Sequence, residues 1–314
     1  MRTVCTIITP DYVPFAKVLG KSLQKFIPDI VIQVLIVDEV DISSNKILNI
    51  HPINSVINSP LSKEIFKKYA YTNLDRFRWA LKPIFIDYLL KKGFNKVIYA
   101  DHDLFFVNNY EFLFKYLEED DILLTPHWAN INPLQNEKSL LDVLQGGMYN
   151  AGFIGVNKKA EKALNWWAEV CHYKIERNQP LGLFDDQKYL DVLPAQFDNV
   201  KIIKHQGCNL ASWNIESCKR EMVSDKLMIN RKFEPVFIHF NRETIANIFN
   251  GNDEYLQSFL DEYTQLLKAE GFDLYNNRGN LDFSKFYMPY YIVKRKLLIR
   301  TRIKRWLFRL AQKI

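Results

Sequence analysis

The sequence predicts an α/β fold with a parallel sheet, and three observations carry that expectation. The chain opens as a strand, a helix and a second strand, the order that favours parallel pairing with a right-handed crossover. An apolar run, Val97 to Ala100, has strand composition, stops at Asp101-His102-Asp103 and resumes as Leu104 to Val107. With 314 residues, 48% hydrophobic and 25% charged, the chain is long and apolar enough for one large globular domain or two small ones.

In order, Thr3 to Thr9 is β-branched and apolar, and reads as the first strand. Pro10-Asp11-Tyr12-Val13-Pro14 breaks it. Phe15 to Phe26 has helical spacing, with Phe15, Val18, Leu19, Leu23 and Phe26 on one face. Ile30 to Val37 is the second strand. Ile42 to Ile57 reads as a short helix and a short strand, and Ser62 to Tyr69 as a helix. Asp75 to Lys91 carries Phe77, Leu81, Ile84, Phe85, Tyr88 and Leu89 on an inward face, with Pro83 leaving the start of the helix open. Glu111 to Leu117 reads as a helix, Asp121 to Thr125 as a strand, and Pro126 to Gln145 as irregular. Within that stretch, Trp128 suits either sugar stacking or the anchoring of a loop.

Gly146 to Asn157 is rich in small residues that let another backbone or a ligand approach closely. Ala160 to Cys171 is expected to be helical. Asp185 and Asp186 stand where they would cap a further helix. Val200 to Lys204 and Val236 to Phe240 read as strands, and Glu254 to Glu270 as a late amphipathic helix. There is no internal repeat and no low-complexity linker.

Several features point to chemistry. In an extended backbone, residues two apart face the same way, so Asp101 and Asp103 would converge at the end of a strand. Ligands of open α/β sheets bind at the carboxyl ends of strands, and two hard oxygen donors there suit Mg²⁺ or Mn²⁺ holding a substrate phosphate. The alternative is an Asp-rich turn. Neither GxGxxG nor GxxxxGK[ST] is present, so a dinucleotide fold and a P-loop lack their marks. The first loop, Thr9 to Tyr12, still lies where a nucleotide sits: Tyr12 would stack on a base and Asp11 would bond a ribose or base, or the loop is an ordinary turn. Arg76, Arg78 and Lys82 surround the start of the long helix, placed either to hold a diphosphate or to form a solvated face.

Charge separates the chain into two parts. Ten of its 42 Lys and Arg, and none of its 36 Asp and Glu, fall in 283–314, leaving residues 1–282 at a net −4. That balance argues against nucleic-acid binding by the body. Four cysteines without a CxxC pair read as reduced thiols of a cytosolic protein. The N-terminal apolar run is too short for a signal peptide, and no stretch approaches a membrane span.

The ordered set Thr9-Pro10-Asp11-Tyr12, Tyr99-Ala100-Asp101-His102-Asp103, Tyr149-Asn150-Ala151-Gly152, Asp186-Gln187 and His239 resembles the GT-A glycosyltransferases. Among them it is similar to the glycogenin and bacterial lipopolysaccharide galactosyltransferase group, glycosyltransferase family 8, over about residues 1–245. The resemblance implies a GT-A-like α/β fold: a mixed, mostly parallel central sheet flanked by helices. It implies that Asp101, Asp103 and His239 bind Mn²⁺, or Mg²⁺, and through it the diphosphate of a UDP-sugar. Asn150 and Gly152 then belong to the sugar pocket, and Asp186 and Gln187 sit beside the reacting carbon. Where the family has His-x-x-Gly-x-x-Lys, this chain has His239-Phe240-Asn241-Arg242-Glu243, with Arg242 in the place of the lysine that grips the diphosphate. His102 stands where the family more usually has a small residue.

The expected domains are 1–282, GT-A-like, and 283–314, a basic amphipathic tail. In the tail Ile299, Ile303, Trp306, Leu310 and Ile314 share one helical face among Lys and Arg, after the aromatics Tyr287, Tyr290 and Tyr291. Such a segment lies on an anionic membrane surface, or packs on the body or a partner. The expected function is metal-dependent, retaining transfer of a sugar to a saccharide or lipid-linked acceptor, in surface polysaccharide, capsule or lipooligosaccharide synthesis. The expected location is cytoplasmic, peripheral at the inner face of the cytoplasmic membrane. A nucleotidyltransferase of similar fold and a non-catalytic saccharide-binding protein of the membrane surface are the alternatives.

Overall fold

The computed structural model describes residues 1–38 and 42–274. The chain divides into two units, 1–272 and 273–314. All secondary structure among the described residues lies in the first. The basic segment expected from Phe283 to Ile314, with its aromatics and its apolar face, lies outside the described residues.

β1 (Arg2–Ile8) leads into α1 (Val13–Gln24), which starts before its apolar spacing does, because Pro14 fits a first turn where no N–H is needed. β2 (Ile32–Ile36) and β3 (Leu48–Pro52) follow. Of the short helix and short strand expected within 42–57, the strand is β3 and the helix is a single 3-10 turn, Ile53–Ser55, after the strand; no helix forms ahead of β3 among the described residues. The Asn45 side-chain oxygen accepts from the N–H groups of Ile47 (2.8 Å) and Leu48 (2.9 Å), a local bond that competes with a helix.

α2 (Pro60–Tyr69) is capped by Ser59 and Ser62 reciprocally. α3 (Leu74–Lys91) is capped by Asn73 and runs straight through Pro83. A proline there costs about 3 kcal/mol. The full burial of Phe77, Leu81, Phe85 and Leu89 offsets it.

β4 (Lys96–Ala100) and β5 (Leu104–Phe106) are the two halves of the apolar stretch around Asp-His-Asp, and they belong to different sheets. α4 (Glu111–Glu119), β6 (Ile122–Pro126), α5 (Pro133–Gly146), β7 (Tyr149–Asn157) and α6 (Glu161–Tyr173) come next. α5 occupies ground read as irregular. Of its residues only Gly146 is buried and Leu134 is 95% exposed, so no buried stripe marks the helix in the sequence.

The short strands β8 (Arg177–Asn178) and β9 (Leu183–Phe184) pair with each other. Asp185 and Asp186 then do not cap a helix: Asp185 has φ 50°, and residues 188–192 form a 3-10 turn. α7 (Leu193–Gln196), β10 (Val200–Ile202), β11 (Cys208–Leu210), the hairpin β12 (Arg220–Val223) with β13 (Lys226–Ile229), β14 (Phe237–His239), α8 (Arg242–Phe249) and α9 (Gln257–Ala269) complete the unit.

The main sheet has seven strands in the order β10-β6-β7-β4-β1-β2-β3. β7 alone is antiparallel to its neighbours β4 and β6; the other pairs are parallel. The expected mixed, mostly parallel sheet is therefore present. Alternate strand residues feed two cores. Cys5, Ile7, Val97 and Tyr99 pack with helices α2, α3 and α6, while Val4, Ile8, Ile98 and Ala100 pack with α1 and α4. A second sheet, β11-β14-β5, joins the latter core through Leu104, Phe106 and Phe237. The four cysteines are free and buried. No helix among the described residues is long and apolar enough to cross a membrane.

Candidate active site

The chain leaves β4 at Asp101 and turns at once. The Asp101 N–H donates to Gly152 O on β7 (2.8 Å), and the Leu104 N–H closes the turn on Asp101 O (3.0 Å). Asp101 and Asp103 thus converge through a turn and not, as expected, along an extended strand. β14 pairs antiparallel with β5, setting His239 opposite Leu104, and the Phe240 N–H donates to Asp103 O (2.9 Å). Sheet pairing, not sequence proximity, thereby brings His239 Nε2 to 3.2 Å from Asp103 Oδ1. One donor atom each from Asp101, Asp103 and His239 falls within 4.8 Å of the others.

Gly152 is the fourth wall. A Cβ there would lie 2.8 Å from Asp101 Oδ2, 2.8 Å from His239 Cε1 and 2.6 Å from Asn150 Oδ1. Only glycine leaves this space open to an ion or ligand. Two carboxylates and one imidazole on such a cradle are a donor set that fits Mn²⁺, the carboxylates alone favouring Mg²⁺ equally.

The electrostatics are those of charges kept from water. Burial pushes the Asp103 carboxyl up, but His239 beside it outweighs this and holds it below the usual carboxylate range. Burial lowers His239, and Asp103 more than reverses that, so the imidazole holds its proton more tightly than usual. Lys82, 2% exposed, donates to Ala151 O (2.9 Å) and pairs with Asp186 at 3.0 Å and Asp101 at 3.8 Å. Burial disfavours its charge; Asp101 and Asp186 restore and reinforce it. Burial raises Asp186 to about 6 against the pull of Lys82. The Tyr99 hydroxyl, near the end of β4, donates to Asp101 Oδ1 (2.7 Å).

The expected sugar-pocket residues are also here. Asn150 Oδ1 accepts from the Gly152 N–H (2.8 Å), and its Nδ2 faces His127 Nε2 (3.2 Å). His127 Nδ1 lies 3.0 Å from Gly147 O, which fixes the tautomer: Nδ1–H donates to the carbonyl and Nε2 accepts from Asn150. Burial pushes His127 down to about 4, keeping it neutral. The Gln187 amide donates to Gly146 O (2.8 Å) and accepts from the Ala151 N–H (3.2 Å), leaving one N–H and one lone pair unspent. Asp185 turns away to pair with Arg177 (2.7 Å).

The first loop is tied to the same turn by rings. Tyr12 packs on His102 with centroids 4.2 Å apart, and the Arg78 guanidinium lies 5.2 Å from the Tyr12 ring. His102, the middle of Asp-His-Asp, is thus an anchor for Thr9 to Tyr12. Arg78 also binds Asp75, and the Thr9 hydroxyl binds Asp11. Arg242 is exposed in the first turn of α8. The structure gathers Asp101, Asp103, His239, Asn150, Gly152, Asp186, Gln187 and Lys82 into one connected cluster. Tyr12 reaches it through His102 and Arg78 through Tyr12, with Thr9 and Asp11 in the same loop as Tyr12, while Arg242, three residues after His239, bonds none of the cluster among the described residues. Sequence reasoning missed His127, Tyr99, Asn209, whose Oδ1 lies 3.3 Å from His239 Nδ1, and Trp213, edge-on to the His239 ring. Only Tyr99 left a signal, standing near the end of the strand two residues before Asp101.

No protein-family model matches the chain. The uncharacterized protein YfnD of Bacillus subtilis (strain 168) is 27% identical over 190 residues, which is 58% of this chain and 58% of that protein. The chain therefore spans less than two thirds of that relative's length. Among solved structures, galactosyltransferase LgtC in complex with donor and acceptor sugar analogues aligns with a TM-score of 0.51 at 14% identity, covering 89% of this chain and 99% of LgtC. An active-site mutant of LgtC aligns with a TM-score of 0.50, also at 14% identity, covering 82% and 96%. The fold is that of the GT-A glycosyltransferases.

Proposed function

We propose that the chain is a metal-dependent glycosyltransferase of the family 8 type, moving a sugar from a UDP-linked donor to a saccharide or lipid-linked acceptor with retention of configuration. The observation that carries this reading is the convergence of Asp101, Asp103 and His239 within 4.8 Å, on a wall that only glycine leaves open. The GT-A fold supports it, since open α/β sheets take ligands at this end of their strands.

A divalent cation held by Asp101, Asp103 and His239, Mn²⁺ before Mg²⁺ because of the imidazole, would supply charge neutralisation to a departing diphosphate. Lys82 holds Asp101 and Asp186 in place and adds its own positive field, which a diphosphate also meets. Arg78 flanks the nucleotide side, and Arg242, exposed in the first turn of α8 where the family it resembles has its diphosphate-gripping lysine, would reach toward the outer phosphate. Thr9, Asp11 and Tyr12 receive the nucleoside, with Tyr12 backed by His102. Asn150 and Gly152 line the sugar. Asp186, raised to about 6 by burial and still anionic near neutral pH, faces the oxocarbenium-like charge of the reacting carbon. Gln187 orients the sugar with its spare N–H and lone pair. The basic segment 283–314 carries the enzyme to an anionic membrane face, where a lipid-linked acceptor is found.

Asp103→Ala tests the assignment. It removes one donor from the triad at a partly exposed turn, so the expected result is a folded protein without metal-dependent turnover. Full turnover in that variant contradicts the reading.

A further inference from the structure

One buried residue behind His239 has no place in the roles above. Asn209, on β11, is 0% exposed and has φ 64°, the left-handed region, which asparagine enters more readily than other non-glycine residues but still less freely than glycine. Its Nδ2 is buried with no hydrogen-bond partner among the described residues. A strained backbone and an unmet donor at the same residue are both unfavourable, and glycine would relieve both. Its Oδ1 lies 3.3 Å from His239 Nδ1, the ring nitrogen that faces away from Asp103. A residue keeps such a backbone and an unmet donor where its surroundings over-determine it.

The surroundings are a buried polar clamp. Asn214, 0% exposed, donates from Nδ2 to Asn209 O (2.8 Å) and to His127 O (3.2 Å). Arg220, 6% exposed, donates to Asn214 Oδ1 (3.1 Å), to Asn214 O (3.2 Å), to Ala211 O (3.0 Å) and to Cys218 O. Its Nε faces Asp253 Oδ2 at 3.2 Å, and Asp253 is 3% exposed. The same loop sets Trp213 edge-on to His239, with ring centroids 5.3 Å apart.

Resting on the metal-site reading above, we infer that Asn209 is a positioning residue for metal binding. Its Oδ1 takes the His239 Nδ1–H, fixing the ring's orientation and leaving the Nε2 lone pair aimed at the cation between Asp101 and Asp103. The Arg220–Asp253 pair, acting through Asn214, holds Asn209 in the left-handed conformation that aims it. Partners on the far nitrogen of a metal-ligating histidine act in this way, and losing one typically weakens metal binding about 10- to 100-fold.

The test is Mn²⁺ binding to the full-length protein without nucleotide, read from free Mn²⁺ by electron paramagnetic resonance. Asn209→Gly deletes the acceptor in a residue that adopts the observed φ without strain; Asn209→Asp keeps an acceptor at the same reach. The Gly variant should bind Mn²⁺ about 10- to 100-fold more weakly with its melting temperature held or raised. The Asp variant should bind at least as tightly as the wild type. In ¹⁵N spectra the His239 Nδ1 signal of the metal-loaded wild type should be that of a protonated nitrogen in a single tautomer, and should lose that character in Asn209→Gly. Equal Mn²⁺ affinity in the wild type and Asn209→Gly overturns the role of Asn209 and leaves the metal site standing. No Mn²⁺ binding by the wild type removes the metal reading and this role together.

Discussion

Replacing Gly152 with alanine should disable the site while leaving the fold in place. The added Cβ would lie 2.8 Å from both Asp101 Oδ2 and His239 Cε1, where ordinary contact begins at 3.4 Å. The triad must therefore open by roughly 0.6 Å on two of its three sides, and Asn150 Oδ1, at 2.6 Å, must move further. Overpacking of this kind costs about 1–3 kcal/mol of stability, which for a chain of this size lowers the melting temperature by less than about 10 °C. Function depends more steeply on position: a misplacement of about 1 Å can cost about 100-fold in rate. Donor turnover should fall by about that factor, and Mn²⁺ affinity by at least about tenfold, measured by nucleotide release and by titration calorimetry on a protein whose circular dichroism is unchanged. Wild-type Mn²⁺ affinity and turnover in Gly152→Ala would refute the claim that Gly152 forms a wall of a metal site.

Lys82→Met should destabilise the fold by about 3–5 kcal/mol, since it strands the buried Asp186 carboxylate, and adding Asp186→Asn should recover part of the loss in thermal denaturation. Equal melting of the single and double variants would show that the pair is not coupled. His127 offers a pH signature: folded, it takes a proton only near pH 4, whereas unfolded it does so near its ordinary 6.5. The unfolded state binds the extra proton between those values, so stability falls as pH drops from 6.5 towards 4. Unfolding curves of His127→Gln across that window should be flatter than those of the wild type, and parallel curves would exclude His127 as the source. Truncation after residue 282 should abolish sedimentation with phosphatidylglycerol vesicles while leaving nucleotide release intact; retained sedimentation would move membrane binding to the body.

The parts of the fold that could be read from the sequence are those whose pattern reports burial. β1 and β4 carry an apolar run, and α1 and α3 an apolar helical period, that the structure buries. α5 rests on the surface with Leu134 and Leu144 exposed, so its helical period had no buried face to reveal it. No helical spacing decides the stretch before β3, where one side-chain oxygen of Asn45, bonded to two N–H groups, sets the turn. Within the site, Asp101 and Asp103 stood out because carboxylates interrupt an apolar run, yet their convergence comes from a turn. The doublet Asp185-Asp186 looked like a cap. In fact Asp185 pairs with Arg177 and Asp186 with Lys82, far away in the chain, and local spacing carries no trace of such partners. Asn209 and His127 were silent for the same reason: each matters only through a neighbour that sheet pairing delivers.

The central claim is that this cluster transfers a sugar with the help of a metal. The most direct measurement is nucleotide release from a panel of nucleotide-sugars with Mn²⁺, with and without EDTA, using slow donor hydrolysis to water so that no acceptor is needed. Mn²⁺-dependent release of UDP from one donor is expected, abolished by EDTA and by Asp103→Ala. No metal-dependent release and no metal-dependent donor binding across the panel would contradict it.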